Sequence, residues 1–193
     1  MAPRLVLASR SPQRRAILEQ IGIPFELQPA DVEERTDGPP EEVVAENALL
    51  KARTAAATAL SEQLVLGIDT VVALDGRLYG KPGDADEARS HLAALAGREH
   101  EVWSGLALRE DGRELTGTAR TVVRFRALDD YVIDWYLASE EWRDRAGGYA
   151  IQGRGAALVQ SIDGDYWNVV GLPLALLLQL APQLLADSRS GHT

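Results

Sequence analysis

Leu5-Val6-Leu7-Ala8-Ser9-Arg10-Ser11-Pro12-Gln13-Arg14-Arg15 is the stretch on which the fold turns. The apolar run Leu5 to Leu7 has the length of a short buried strand. Ser11 is a favoured N-cap residue, and Pro12 falls at the first helical position, where its missing N–H costs nothing. From Gln13 a helix is predicted, with Ile17, Leu18 and Ile21 inward and Gly22 placed to end it. A strand thus feeds a loop that opens onto a helix N-terminus, where free N–H groups and the positive dipole end favour an anion. Ser9, Ser11, Arg14 and Arg15 add hydroxyls and cations at the same place. The segment is either a phosphate cradle or an ordinary strand-to-helix turn with solvated arginines.

The rest of the chain sets the frame. Its 193 residues suffice for one domain of ample core, or for two small lobes sharing a cleft. A hydrophobic fraction of 46% and a charged fraction of 25% are those of an ordinary soluble protein. The net charge of −9 argues against nonspecific nucleic-acid binding. There is no cysteine, which excludes disulfides, thiolate nucleophiles and thiolate metal sites. His91, His100 and His192 are too few for a His-rich metal centre. After Arg4 only Leu5 to Ala8 are apolar before Ser9, too short for a signal-peptide core. The most apolar region, Gly171 to Ala186, is interrupted by Pro173, Gln179, Pro182 and Gln183. It reads as a core-packing C-terminal helix, not a membrane span. A cytoplasmic protein is expected, with one domain over residues 1–186 and a flexible tail over 187–193.

Phe25 to Leu27 is predicted as a short strand, followed by an acidic loop containing Asp31, Glu33 and Glu34. A long Ala-rich helix is predicted from Glu41 to about Leu60, with Glu41 and Glu42 complementing its dipole. Val44, Ala48, Lys51 and Ala55 are spaced by four, three and four, so they share one stripe. Lys51 either snorkels out of that stripe along its stem or points into a cleft towards an anion. Leu64 to Ile68 and Val71 to Leu74 read as strands around Asp69-Thr70. Asp is disfavoured in strands and rarely buried without a partner. Asp69 therefore caps a bend, ligates a cation or acts as a base. Asp75-Gly76 is a hairpin signal returning through Leu78-Tyr79, and Lys81 follows just before Pro82.

Asp84 and Glu87 open a helix that Gly97 ends. Val102 to Leu108 and Leu115 to Phe125 are predicted strands joined through Asp111-Gly112. Asp129 caps a helix whose Trp135 is expected in the core. The loop Arg145 to Gly153 keeps its backbone accessible, and Gln152 can both donate and accept, as recognition of a base edge requires. Its glycines form no Walker motif. Ala157 to Ile162 and Tyr166 to Val170 read as strands flanking Asp163-Gly164, a third hairpin signal.

The cations (Arg14, Arg15, Lys51, Lys81) and carboxylates (Glu33, Glu34, Asp69) suggest one chemistry. Hard oxygen ligands without soft ones suit Mg²⁺ or Mn²⁺ better than zinc. A divalent ion amid lysines and arginine is what phosphoryl transfer needs. No Gly-x-Ser-x-Gly elbow supports a Ser–His–Asp hydrolase.

Seven segments in order, from Leu7-Ala8-Ser9-Arg10-Ser11-Pro12 to Asn168-Val169-Val170-Gly171-Leu172-Pro173-Leu174, resemble the motifs of the Maf family of nucleotide pyrophosphatases. Between them lie Val32-Glu33-Glu34, Leu50-Lys51-Ala52, Gly67 to Val72, Gly80-Lys81-Pro82 and Ala146 to Gly153. The resemblance implies an α/β fold related to inosine-triphosphate pyrophosphatases, with an elongated mixed sheet and two lobes around a cleft. It implies hydrolysis of a nucleoside triphosphate to monophosphate and pyrophosphate with a divalent cation. Asp69 would be the base or metal-linked carboxylate, with Glu34 assisting the cation. Ser9, Arg14, Lys51 and Lys81 would hold the triphosphate. Thr70 and Gln152 match the dTTP/UTP class rather than the 7-methyl-GTP class. Gln13 departs from that class, which carries an arginine there, and Trp142 and Arg145 replace a proline and a lysine. A homodimer is expected, with neither nucleic acid nor membrane as partner. The alternatives are a pyrophosphatase of the 7-methyl-GTP class, or a nucleotide-binding regulator of division with little turnover.

Overall fold

The computed structural model describes residues 4–60 and 62–185; the expected tail, 187–193, lies outside the described residues. Seven strands form one mixed sheet, ordered β2-β1-β3-β5-β6-β7, with β4 also paired to β3. β1 (Arg4–Leu7) lies parallel to both β2 (Phe25–Leu27) and β3 (Gln63–Leu74). The remaining pairs are antiparallel: β4 (Arg77–Tyr79), β5 (Glu99–Glu110), β6 (Arg113–Phe125) and β7 (Val159–Asp163). The expected α/β class with an elongated mixed sheet is what the chain adopts.

The quoted opening segment folds as its pattern predicts. β1 ends at Leu7, and α1 (Pro12–Gln20) starts on its proline, with Ile17 and Leu18 buried and Gly22 at φ 71° beyond its end. Ser11 does not cap α1 with its side chain. Its hydroxyl donates to Gln13 Oε1 instead, and its N–H donates to Ser9 Oγ. Two of the three hairpin signals hold, since Asp75-Gly76 and Asp111-Gly112 take positive φ at both central positions, whereas Asp163-Gly164 leads into a helix. Asp84 and Asp129 cap α3 (Ala85–Leu95) and α4 (Asp130–Leu137), accepting from the N–H groups of Glu87 and Val132.

Four expectations need correction. β3 is one unbroken strand through Asp69, because the carboxylate that should have broken it finds side-chain partners on α2 (Pro40–Ala56). Helix α2 ends four residues earlier than about Leu60, at Ala56. Tyr166 to Val170 is not a strand but a short helix, α5 (Tyr166–Val170), started by Asp165, whose carboxylate accepts from Trp167 N–H. Trp135 is 38% exposed, with the Arg154 guanidinium 5.4 Å from its ring centre, so it is not core. The apolar C-terminal region shortens to α6 (Leu174–Leu180) and a final turn after Pro182, packed on the sheet as expected.

Two large apolar clusters share one face of this sheet. One gathers β1, α1, the first half of β3 and α6 around Leu7, Leu18, Leu66, Ile68, Leu106 and Leu177. The other gathers α3, α4 and the far ends of β3, β5 and β6 around Val72, Leu92, Val102, Phe125 and Tyr136. The expected two lobes are the two ends of the same long strands. Helix α2 lies directly on the opposite face of the sheet, where Ala48, Ala52 and Ala55 meet Val65 and Ala107. A Cβ on Gly67 would fall 2.1 Å from Ala48 O, and one on Gly105 would fall 2.1 Å from Val44 O. Glycine in a strand interior here marks close approach of another backbone.

Candidate active site

The cleft begins where β3 loses a neighbour. β1 pairs with β3 only through Leu66, and β4 takes up the same strand from Val72. Among the described residues no strand covers this edge of β3 between those points. Leu66 O accepts from Ala8 N–H, and the Ile68 carbonyl two residues on points to the same edge. There it accepts from Arg14 Nη1 at 3.0 Å. A cavity of about 510 Å³ occupies the gap, lined by Ser9, Arg10, Gln13 and Arg14 from the opening segment, and by Glu34, Lys51, Thr70, Lys81, Arg145 and Gln152. Thr70 and Val72 reach it from one face of the sheet and Lys51 from the α2 face, so the cleft wraps around the strand edge.

Arg14 is buried and ties three chain segments together. Its Nε donates to Gly171 O at 2.9 Å, Nη1 to Ser9 Oγ and Ile68 O, and Nη2 to Thr70 Oγ1 at 3.1 Å. Four of its five N–H groups are thus engaged. Burial pushes its pKa down from the usual arginine value, against the opposing pull of Asp69 and Glu34. A guanidinium stays charged under such a shift. Arg14 therefore shapes the cleft wall first and, among the described residues, leaves one donor for a ligand. Arg15, expected beside it, turns away to pair with Glu19.

On the α2 face three charged groups converge. Lys51 Nζ lies 2.7 Å from Asp69 Oδ1 and 2.7 Å from Glu34 Oε1. Asn47 Nδ2 donates to Asp69 Oδ2 at 3.0 Å, so both carboxylate oxygens have partners. Of the two readings of Lys51, the inward one holds, with carboxylates as its anions. The partner of Asp69 across the ladder is Gly105, whose missing side chain lets α2 bring Asn47 and Lys51 within reach. Asp69 is 5% exposed and sits behind Lys51, set back from the cavity wall that Lys51 and Thr70 form. Thr70 points to the opposite face, 2.9 Å from Ser104 Oγ.

Lys81 and Gln152 stand exposed on the wall. Lys81 makes no side-chain hydrogen bond or ion pair among the described residues. Gly147 N–H donates to Gly80 O at 3.0 Å, which docks the turn carrying Arg145 beside Lys81. Arg145 is half-buried, and that burial lowers its pKa. Glu33 and Glu34 are both exposed, but only Glu34 lines the wall. The structure thus brings together Ser9, Arg14, Glu34, Lys51, Thr70, Lys81 and Gln152 around one cleft, with Asp69 behind it.

Sequence reasoning missed Asn47. It also accepts from Arg35 N–H at 2.8 Å and donates to Arg35 O at 2.9 Å, which fixes the acidic loop. The signal was there: Asn is a poor helix-interior residue, and this one lies one turn before Lys51 on the same face.

A family model described as Maf-like protein matches residues 4–184. The chain belongs to the Maf family. Curated Maf relatives named dTTP/UTP pyrophosphatase include that of Gloeobacter violaceus, 49% identical over 182 residues, covering 93% of this chain and 95% of the relative. That of Anaeromyxobacter dehalogenans strain 2CP-1 is 48% identical over 181 residues, 91% of each chain. That of Bacillus cytotoxicus is 44% identical over 191 residues, 98% of each. Among solved structures, the Staphylococcus aureus Ham1 protein is a distant likeness, with TM-score 0.44 and 19% identity over 63% of this chain and 71% of that one. In this Maf protein, no helix among the described residues is long and apolar enough to cross a membrane.

Proposed function

We propose that this chain hydrolyses dTTP and UTP to the monophosphate and pyrophosphate. The observation that carries the proposal is the convergence of Glu34, Lys51, Thr70, Lys81 and Gln152 on one cleft, with Asp69 bonded to Lys51 behind it. Relatives 44% to 49% identical that bear the name dTTP/UTP pyrophosphatase support the substrate class.

Ser9, Lys81 and the remaining donor of Arg14 hold the triphosphate. The Lys51 ammonium has three N–H donors, two of them engaged by carboxylates, and the third takes a phosphate oxygen. Asp69 removes a proton from water, which attacks the α-phosphorus. The bond from that phosphorus to the bridging oxygen breaks, and pyrophosphate leaves. Gln152 meets the base edge, offering a donor and an acceptor together.

The described residues include no group of three or more His, Asp or Glu side chains able to hold a metal ion by themselves. Two carboxylates do converge on one cation, Lys51. Mg²⁺ is commonly held by one or two carboxylates plus substrate phosphates, so Glu34 and Asp69 fit Mg²⁺ or Mn²⁺ carried in with the nucleotide. Such an ion would neutralise charge on the phosphate oxygens.

The proposal includes action in the cytoplasm by residues 1–186 as one domain, without nucleic acid, and as a homodimer. A regulator that only binds nucleotide is the weaker reading, because carboxylates beside a triphosphate oppose its binding. Asp69→Asn decides between them: pyrophosphate release should fall to background while nucleotide binding persists. Unchanged turnover overturns the proposal.

A further inference from the structure

Gln152 stands between two anchored stretches of backbone. On one side, Ala150 N–H donates to Tyr136 Oη at 2.9 Å, and the Tyr149 hydroxyl meets His100 Nε2 at 2.8 Å. On the other, the Glu141 carboxylate accepts from Arg154 N–H at 2.8 Å and from Gly155 N–H at 3.2 Å, both to Oε2, with Oε1 3.1 Å from Arg154 N. Gly153 permits this approach. Its φ is 61°, and a Cβ there would sit 2.7 Å from Glu141 Oε1. The turn that presents Glu141 is bounded by two non-glycine residues at positive φ, Glu140 at 58° and Asp144 at 57°. Such backbone persists only where its surroundings over-determine it. Here Trp142, 3% exposed and donating its Nε1–H to Leu137 O, nails the turn into the core.

We infer that Glu141 is a positioning residue for nucleotide selection: through the backbone of 153–155 it sets the direction in which Gln152 meets the base. The inference rests on Gln152 being the residue that reads the base. Glu141 itself does not line the cleft, so it acts from behind the wall, through the loop and through its charge near Arg145. A carboxylate accepting two successive backbone N–H groups resists rotation of both peptide planes; an amide oxygen in the place of Oε2 would hold them more weakly, and its NH₂ would stand where Oε1 lies, 3.1 Å from the Arg154 N–H. The phosphate-binding side chains lie on other segments and keep their places when Glu141 changes.

The test measures kcat and KM for UTP, dTTP and CTP in the full chain, comparing the parent with Glu141→Gln, Gln152→Ala and the double variant. Glu141→Gln should raise KM for UTP and dTTP roughly tenfold with kcat within about twofold, and shrink the preference over CTP. The double variant should show no further loss of preference beyond Gln152→Ala. If Gln152→Ala changes the preference and Glu141→Gln does not, the inference is overturned while the base-reading role of Gln152 stands. If Gln152→Ala leaves the preference untouched, that role fails and the inference with it. Should Glu141→Gln not fold, Glu141→Asp, which keeps the charge but retracts it by one methylene, carries the same expectation and the same overturning result.

Discussion

Lys51 Nζ donates to Asp69 Oδ1 at 2.7 Å while the two side chains keep 9% and 7% of their surface exposed. A buried pair of this kind is a weak source of net stability but a costly one to break from one side, because the survivor is left charged and unpaired. Its value is placement: it locks a helix residue to the middle of a strand at the edge of a cleft.

Lys51→Met should therefore cost about 3 kcal/mol of folding stability. Combining it with Asp69→Asn should recover a good part of that loss, since the second change removes the orphaned charge. Urea denaturation of the three variants checks this. Additive losses would mean that the two side chains do not depend on each other.

Gly105→Ala should cost about 2 kcal/mol or more, because the new methyl meets the Val44 carbonyl at 2.1 Å and α2 must lift. Lifting α2 draws Asn47 and Lys51 off Asp69, so activity at 25 °C should fall far more than the folded fraction does. Pyrophosphate release and circular dichroism on the same sample separate the two effects.

His100 is 2% exposed and its Nδ1 has no partner among the described residues, and burial pushes its pKa down to about 4. The unfolded chain takes up a proton below about pH 6.5 that the native state refuses. Stability from this group is thus complete above that pH and falls as pH drops towards 4, by about 3 kcal/mol below both values. Unfolding curves at several pH values should show this slope, and His100→Gln should flatten it.

Ser11 Oγ donates to Gln13 Oε1 at 2.8 Å, and Gln13 lines the cleft. Assayed side by side, dTTP and UTP should turn over faster than CTP and 7-methyl-GTP. Gln13→Arg should widen that gap. Preference for the methylated purine would overturn the assignment of class.

Local patterns carried much of the fold. The Ser-Pro entry to α1, the Asp-Gly hairpins and the Asp caps on α3 and α4 formed where spacing put them, because each depends on neighbours within a few residues. Errors fell where a distant partner decided. Asp69 was expected to interrupt β3, and α2 supplied the partners that kept the strand whole. Tyr166 to Val170 carried strand-type residues, yet Asp165 capped them into a helix whose Asn168 donates to Val102 O across the sheet.

What the sequence determined alone was the inventory: the short strand, the turn opening on a helix, the stripe that carries Lys51, and the motifs that mark the family. The tertiary structure decided what those residues touch. Arg14 became a brace as well as a cation, Lys51 found its anions within the protein, and Asn47 entered the site. The reason is that burial and pairing depend on which chain segments meet, and Gly67 and Gly105 bring α2 onto β3 and β5 at separations no linear pattern records.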